Sequence, residues 1–68
     1  MERNFYIKCN TLALGNSPYL YWNGVTWVTD LHRARKFASE AEGKRELVNL
    51  SPPRIVDKKG PGPEVFEF

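Results

Sequence analysis

Cys9 and His32 are the chain's single cysteine and single histidine, and together the one thiol–imidazole pair it can assemble. Thiol catalysis needs a thiolate, a base beside it and a third group to orient the base. Cys9 stands on the inward parity of an alternating stretch, where a thiol acts as a small apolar group, and His32 falls on the exposed first turn of a helical pattern. A metal centre needs three or four ligands, and no second soft ligand stands at a helical or hairpin spacing from Cys9. The acidic residues sit on helix surfaces or in the C-terminal segment, so no paired-carboxylate acid–base site is expected. Gly60-Pro61-Gly62-Pro63 carries prolines where a phosphate loop wants amide donors. These residues point away from catalysis, and neither a cofactor nor a metal is expected.

Contact chemistry remains. Tyr6, Tyr19 and Tyr21, near Lys8 and Thr26, share one parity of the strand patterns, and tyrosine offers large, fairly rigid amphipathic area to a partner. Their plain role would be a wet sheet face of good strand propensity. A second group is basic: Arg33, Lys36, Lys44 and Arg45, with His32 and Arg35 beside them. Glu40, Glu42 and Glu46 are interspersed, as on any solvated helix face.

Sixty-eight residues make one domain, and the net charge of +2 is too small to imply nucleic acid by itself. A chain this short buries only about 60% of the surface its unfolded form exposes. Cys9 cannot form an internal disulfide, so a dense aromatic core or a partner subunit must supply stability. No apolar run approaches the ~20 residues that span a bilayer. Residues 1–4 lead into a strand pattern without a charged-then-apolar leader, and the lone thiol suits a reducing compartment. The expected setting is cytoplasmic.

The elements that must position these groups follow from periodicity. Residues 4–10 alternate, with Phe5, Ile7 and Cys9 on one side and Tyr6, Lys8 and Asn10 on the other, which predicts a half-buried strand. Residues 11–18 break that parity and end in Gly15-Asn16-Ser17-Pro18. They predict a loop whose Leu12 and Leu14 cover one end of the core.

Asn23-Gly24, between aromatic and β-branched residues, is the strongest short-range hairpin signal in the chain. A two-residue turn pairs Trp22 with Val25 and Leu20 with Trp27, which puts four apolar residues on one face. A three-residue loop with a bulge is the alternative and mixes the faces.

Thr29-Asp30 then offers an N-cap. Leu31, Ala34, Phe37 and Ala38 fall on one helical stripe, and Ser39 with Glu42 has capping-box spacing. Two short helices are expected, broken near Ser39, with one helix over residues 31–49 as the alternative. Ala41 and Val48 would face inward. Ser51-Pro52-Pro53 stops the helix. Residues 54–57 predict a short strand and residues 58–63 a turn or linker. Residues 64–68 alternate again, as an edge strand or a tail.

The reading is an α+β fold. A small antiparallel sheet of three to four strands, in the order β-β-β-α-α-β, carries one or two short helices on one face. Residues 1–57 form the compact domain and residues 58–68 a Pro/Gly-rich tail or edge strand. The expected core is Phe5, Ile7, Leu20, Trp22, Val25, Trp27, Leu31, Ala34, Phe37, Ala41, Val48 and Ile55.

The run Tyr21-Trp22-Asn23-Gly24-Val25-Thr26-Trp27, then Thr29-Asp30, Ala34 and Phe37, with Phe5-Tyr6-Ile7 before it, resembles small uncharacterised proteins of bacteria and their phages. These join an aromatic hairpin to an Ala-x-x-Phe helix. The resemblance implies a compact α+β domain and a bacterial or phage origin, and no activity. The functional expectation is a non-catalytic protein-interaction module: a self-associating domain, an adaptor or an inhibitor of a host protein. A small nucleic-acid-binding domain, stacking bases on tyrosines, is the alternative.

Overall fold

Strand β1 (Phe5–Leu14) is the spine of the sheet, as the alternation from Phe5 onward requires. The computed structural model describes residues 3–14, 17–56 and 59–68, with residues 12–14, 17 and 18 described in their backbone. With β2 (Ser17–Trp22), β3 (Trp27–Val28) and β4 (Pro63–Glu67), β1 forms one antiparallel sheet in the order β3-β2-β1-β4. This is the expected α+β class. Where a loop over residues 11–18 is expected, residues 11–14 and 17–18 are strand: β1 runs on to Leu14 and pairs with Ser17, with an irregularity between Asn10 and Leu14. From Asn10↔Tyr19 to Leu14↔Ser17 β1 advances four residues and β2 two, so the strand runs on through an irregularity of two extra residues and broken alternation does not end it. The expected turn residues Gly15 and Asn16, the side chains of Leu12 and Leu14, and Asp57 and Lys58 lie outside what the structure describes.

The Asn-Gly signal marks a turn, but not the two-residue one. Asn23 Oδ1 accepts from the amides of Val25 (2.8 Å) and Thr26 (2.7 Å), and the Asn23 amide donates to the Thr26 carbonyl at 3.1 Å. A two-residue type I′ turn needs φ > 0 at both central residues, yet no described non-glycine residue has positive φ, and only Gly24 does here, at 102°. The asparagine side chain therefore closes a four-residue loop. Trp22 pairs with Trp27 rather than Val25, their rings lie 5.4 Å apart, and Val25 is left 84% exposed.

The first expected helix is absent. Asp30 Oδ1 accepts from the His32 amide, and Leu31–Arg33 makes a single 3-10 turn. Ala34 is then extended, with ψ of 139°. The Arg35 amide donates to the Trp22 carbonyl at 2.8 Å, and Phe5 and Phe37 exchange both backbone bonds at 2.8 and 2.9 Å. This segment occupies the flank of β1 that β2 vacates at its turn. A helix of seven residues is marginal alone, and these sheet-edge partners outcompete it. One continuous helix over residues 31–49 is excluded by the same bonds.

Helix α1 (Glu40–Asn49) begins where the capping box places it: Ser39 Oγ accepts from the Glu42 amide, and Glu42 reaches back to the Ala38 amide. Its inward stripe differs from expectation. Gly43 is the buried residue, whereas Ala41 is exposed and Val48 is 84% exposed. A Cβ on Gly43 would stand 3.0 Å from Val65 Cγ1, so the absent side chain sets how closely α1 approaches β4. The register of that close approach, not the apolar count, fixes the helix rotation.

After α1, where a strand at residues 54–57 is expected, residues 54–56 form a turn with one bridge, between Val56 and Thr11. Asn10 Oδ1 accepts from the Gly62 amide at 2.7 Å and ties the chain to the sheet. β4 then pairs with β1 from Cys9↔Pro63 to Phe5↔Glu67, as an ordered edge strand. The buried apolar residues are Ile7, Cys9, Leu20, Ala34 and Phe37, with Ile7 and Cys9 fully enclosed. Phe5, Trp22, Trp27, Leu31 and Ile55 are only partly buried.

Candidate functional site

The two parities of β1 separate the sheet into unlike faces. Ile7 and Cys9 are enclosed on the parity that α1 packs against, while Tyr6, Lys8 and Asn10 take the other and are only partly covered. Register carries the outer parity across all four strands: Val28, Tyr21, Lys8 and Glu64 form one row, and Tyr6 and Phe66 the next. Tyr6 sits 5.9 Å from Tyr21, 5.9 Å from Phe66 and 4.6 Å from Phe68, by ring centroids. Lys8 Nζ lies 4.5 Å from the Tyr19 ring centre and 4.2 Å from that of Phe66. None of these side chains is buried, and Tyr19 and Phe68 stay 39% and 50% exposed.

The geometry is an aromatic cluster around Tyr6, with the Lys8 ammonium seated over two rings at its side. Edge-to-face and offset rings attract through their quadrupoles, and a cation over a ring face gains about 0.5–2 kcal/mol as water is excluded. Lys8 makes no salt bridge among the described residues, although Glu64 is its partner across the β1–β4 ladder. Partial burial pushes the Tyr6 phenol above its usual pKa, and the Tyr21 phenolate adds to the rise.

Of the residues singled out from sequence, Tyr6, Lys8, Tyr19 and Tyr21 share this face. Thr26 does not, because the four-residue loop moves it into the turn beyond the sheet. Glu64, Phe66 and Phe68 belong to the face and were not anticipated. The alternation of residues 64–68 was the available signal, but it does not say which strand they pair with.

The basic residues disperse. Arg33 faces the Asp30 carboxylate at 3.9 Å and Lys44 pairs with Glu40 at 3.2 Å. Lys36 Nζ lies 5.8 Å from the Phe68 ring centre. Arg33, Lys36 and Arg45 line three separate clefts.

Cys9 is enclosed and its thiol donates to the Asn10 carbonyl at 3.2 Å. Burial raises its pKa, which opposes thiolate formation. His32 is exposed on the 3-10 turn. Among the described residues no three of His, Cys, Asp and Glu gather as metal ligands, and no helix is long and apolar enough to cross a membrane. A cleft of about 570 Å³ lies between Trp22, Trp27 and the Pro52-Pro53 segment. Both indole N–H groups there are already engaged, Trp22 donating to Glu46 Oε2 (3.1 Å) and Trp27 to the Ser51 carbonyl (3.0 Å). The cleft joins the hairpin to the end of α1. Compared with known proteins, the chain matches no family model, no curated protein and no solved structure.

Proposed function

We propose that this domain is a non-catalytic protein-interaction module that meets its partner through the outer face of the sheet, in a cytoplasmic setting that keeps Cys9 reduced. One observation carries the reading: on the side of the sheet that α1 does not cover, Tyr6 gathers the rings of Tyr21, Phe66 and Phe68, and Lys8 lies over Tyr19 and Phe66 beside them. Contact cores are rich in aromatics and poor in charge, and this face has that composition. The likeness of the hairpin to small bacterial and phage proteins belongs to the same proposal, although the Ala34-to-Phe37 segment is extended here and not helical.

Nucleic acid fits this face less well. Stacking would use the rings, but phosphate neutralisation needs several cations. Lys8 is the one cation of its row and faces Glu64 across the ladder, while Arg33 and Lys44 are paired with carboxylates.

The test compares the full chain with Tyr6→Ala/Tyr21→Ala, both confirmed folded by circular dichroism. Light scattering reads self-association and affinity capture reads other protein partners. The double variant is expected to lose the association that the wild type shows. Association unchanged in the double variant overturns the reading. So does tight, salt-sensitive binding of a single-stranded oligonucleotide at about 50 mM salt that requires Tyr6 and Tyr21.

A further inference from the structure

We infer that the partner of the outer face is a second copy of this chain, held in register by reciprocal contacts between Lys8 of each copy and Glu64 of the other. The inference rests on the interaction reading above and names the occupant.

It starts from a mismatch. Lys8 and Glu64 stand opposite each other in the β1–β4 ladder and on the same face. Opposite charges in that arrangement normally attract. Here they form no ion pair within 4 Å, and Lys8 instead leans across the sheet between Tyr19 and Phe66. The face thus holds one cation and one anion, neither used by the other. An acidic ligand would meet Glu64 and a basic one would meet Lys8. A second copy meets both with the opposite charge.

The symmetry is specific. Dimers of one chain are usually two-fold, so residue i meets j and j meets i. Two sheets stack face to face about 10 Å apart. A two-fold axis within that interface, parallel to the strands and midway between β1 and β4, lays each β1 over the other copy's β4. Lys8 then faces Glu64 twice. The next row obeys the same rule, because Tyr6 and Phe66 are also ladder partners and each would cover the other. An axis along β1 itself would set ammonium against ammonium.

Size agrees with a modest dimer. Five rings of about 150–250 Å² each, already partly covered, put the contact near the ~1,000 Å² lower bound for a specific interface. The expected affinity is micromolar or weaker. Among the described residues Ile7 and Cys9 are the largest side chains below 2% exposure, and a core of such small groups gives the chain reason to cover more apolar surface.

Sedimentation equilibrium of the full chain, from about 10 μM to about 1 mM, reads the proposal across the range where weak interfaces populate. Wild type is expected to dimerise. Lys8→Glu and Glu64→Lys are each expected to weaken dimerisation by about tenfold or more, since each sets like charges together. Their equimolar mixture is expected to recover dimers, because the mixed pair restores both contacts. Amide spectra confirm folding, and Lys8→Met and Glu64→Gln replace any reversal that does not fold, with weaker association expected from each. A wild type that dimerises while the mixture stays monomeric overturns the Lys8–Glu64 pairing, and leaves the interaction face standing if Tyr6→Ala/Tyr21→Ala abolishes the dimer. A wild type monomeric throughout overturns the second copy as partner. The face then survives only if capture of another protein depends on Tyr6 and Tyr21.

Discussion

The two faces of this sheet are built from the same strands, one residue out of step, and they hold together by different means. The inner face encloses Ile7 and Cys9 completely and sets β4 against the bare backbone of Gly43. Its stability comes from removing methyl groups from water and filling space closely. The outer face stays open, with rings touching rings and an ammonium resting on two of them. Such contacts are satisfied sideways, within one layer, and leave the upper surface free. In a small α+β domain, one face can therefore carry folding and the other contact, provided that sideways packing keeps the exposed rings in place.

The division is sharpest at two adjacent residues. Ile7→Ala removes a fully enclosed side chain and is expected to cost about 2–5 kcal/mol, enough to unfold a domain of this size. Tyr6→Ala, one residue away on the open face, is expected to cost less than half as much and to keep the fold. Urea denaturation of both variants measures the contrast. Equal losses would mean that the outer rings belong to the core and would break the comparison.

The outer face was half legible in the sequence. Alternation put Tyr6, Lys8 and Tyr21 on one side, because side-chain parity depends only on local strand geometry. What alternation could not supply was Phe66 and Phe68, since their place depends on a pairing between residues far apart in the chain. The inner face was legible in its strands and misread at its cover. Leu31, Ala34 and Phe37 recur at a spacing of three, which suits a helix. Yet Phe37 is buried because its backbone pairs with Phe5, a contact that no local pattern announces. Val25 went astray because the Asn23 side chain chose a longer loop. In each miss a backbone hydrogen bond or a non-local partner outweighed hydrophobic periodicity.

Gly43 tests how closely the inner face is packed. In an open helix Gly→Ala would stabilise by about 0.8–1 kcal/mol. Here the added methyl meets both γ carbons of Val65, at 3.0 and 3.2 Å, and a β-branched side chain has little rotamer freedom to yield. Gly43→Ala is expected to be net destabilising by about 1–2 kcal/mol, as overpacking commonly is. Gly43→Ala/Val65→Ala should be less sensitive to the methyl than the valine background, by thermal denaturation in a double-mutant cycle. A stabilising Gly43→Ala would show that α1 can lift from β4, and the inner face would lose its claim to close packing.

The smallest effect belongs where the inner face reaches water. Glu67 lies opposite Phe5 in the ladder, and its carboxylate is bound by the Arg3 guanidinium. The hydrogen bond from Arg3, aided by its charge, holds Glu67 below the usual carboxylate pKa and raises Arg3 in return. A lowered folded-state pKa means the unfolded chain binds the proton more readily. The stabilisation is thus present above the ordinary carboxylate range and lost as pH falls through the lowered value. Both side chains are well exposed, 71% for Arg3 and 41% for Glu67, so solvent and salt screen the pair. Glu67→Gln should therefore lower Tm slightly at pH 7 and low salt, with the difference shrinking at about 0.5 M salt and vanishing in acid. A difference that persisted in acid would mean that Glu67 acts through packing rather than charge, which would extend the close-packed region to the margin of β4.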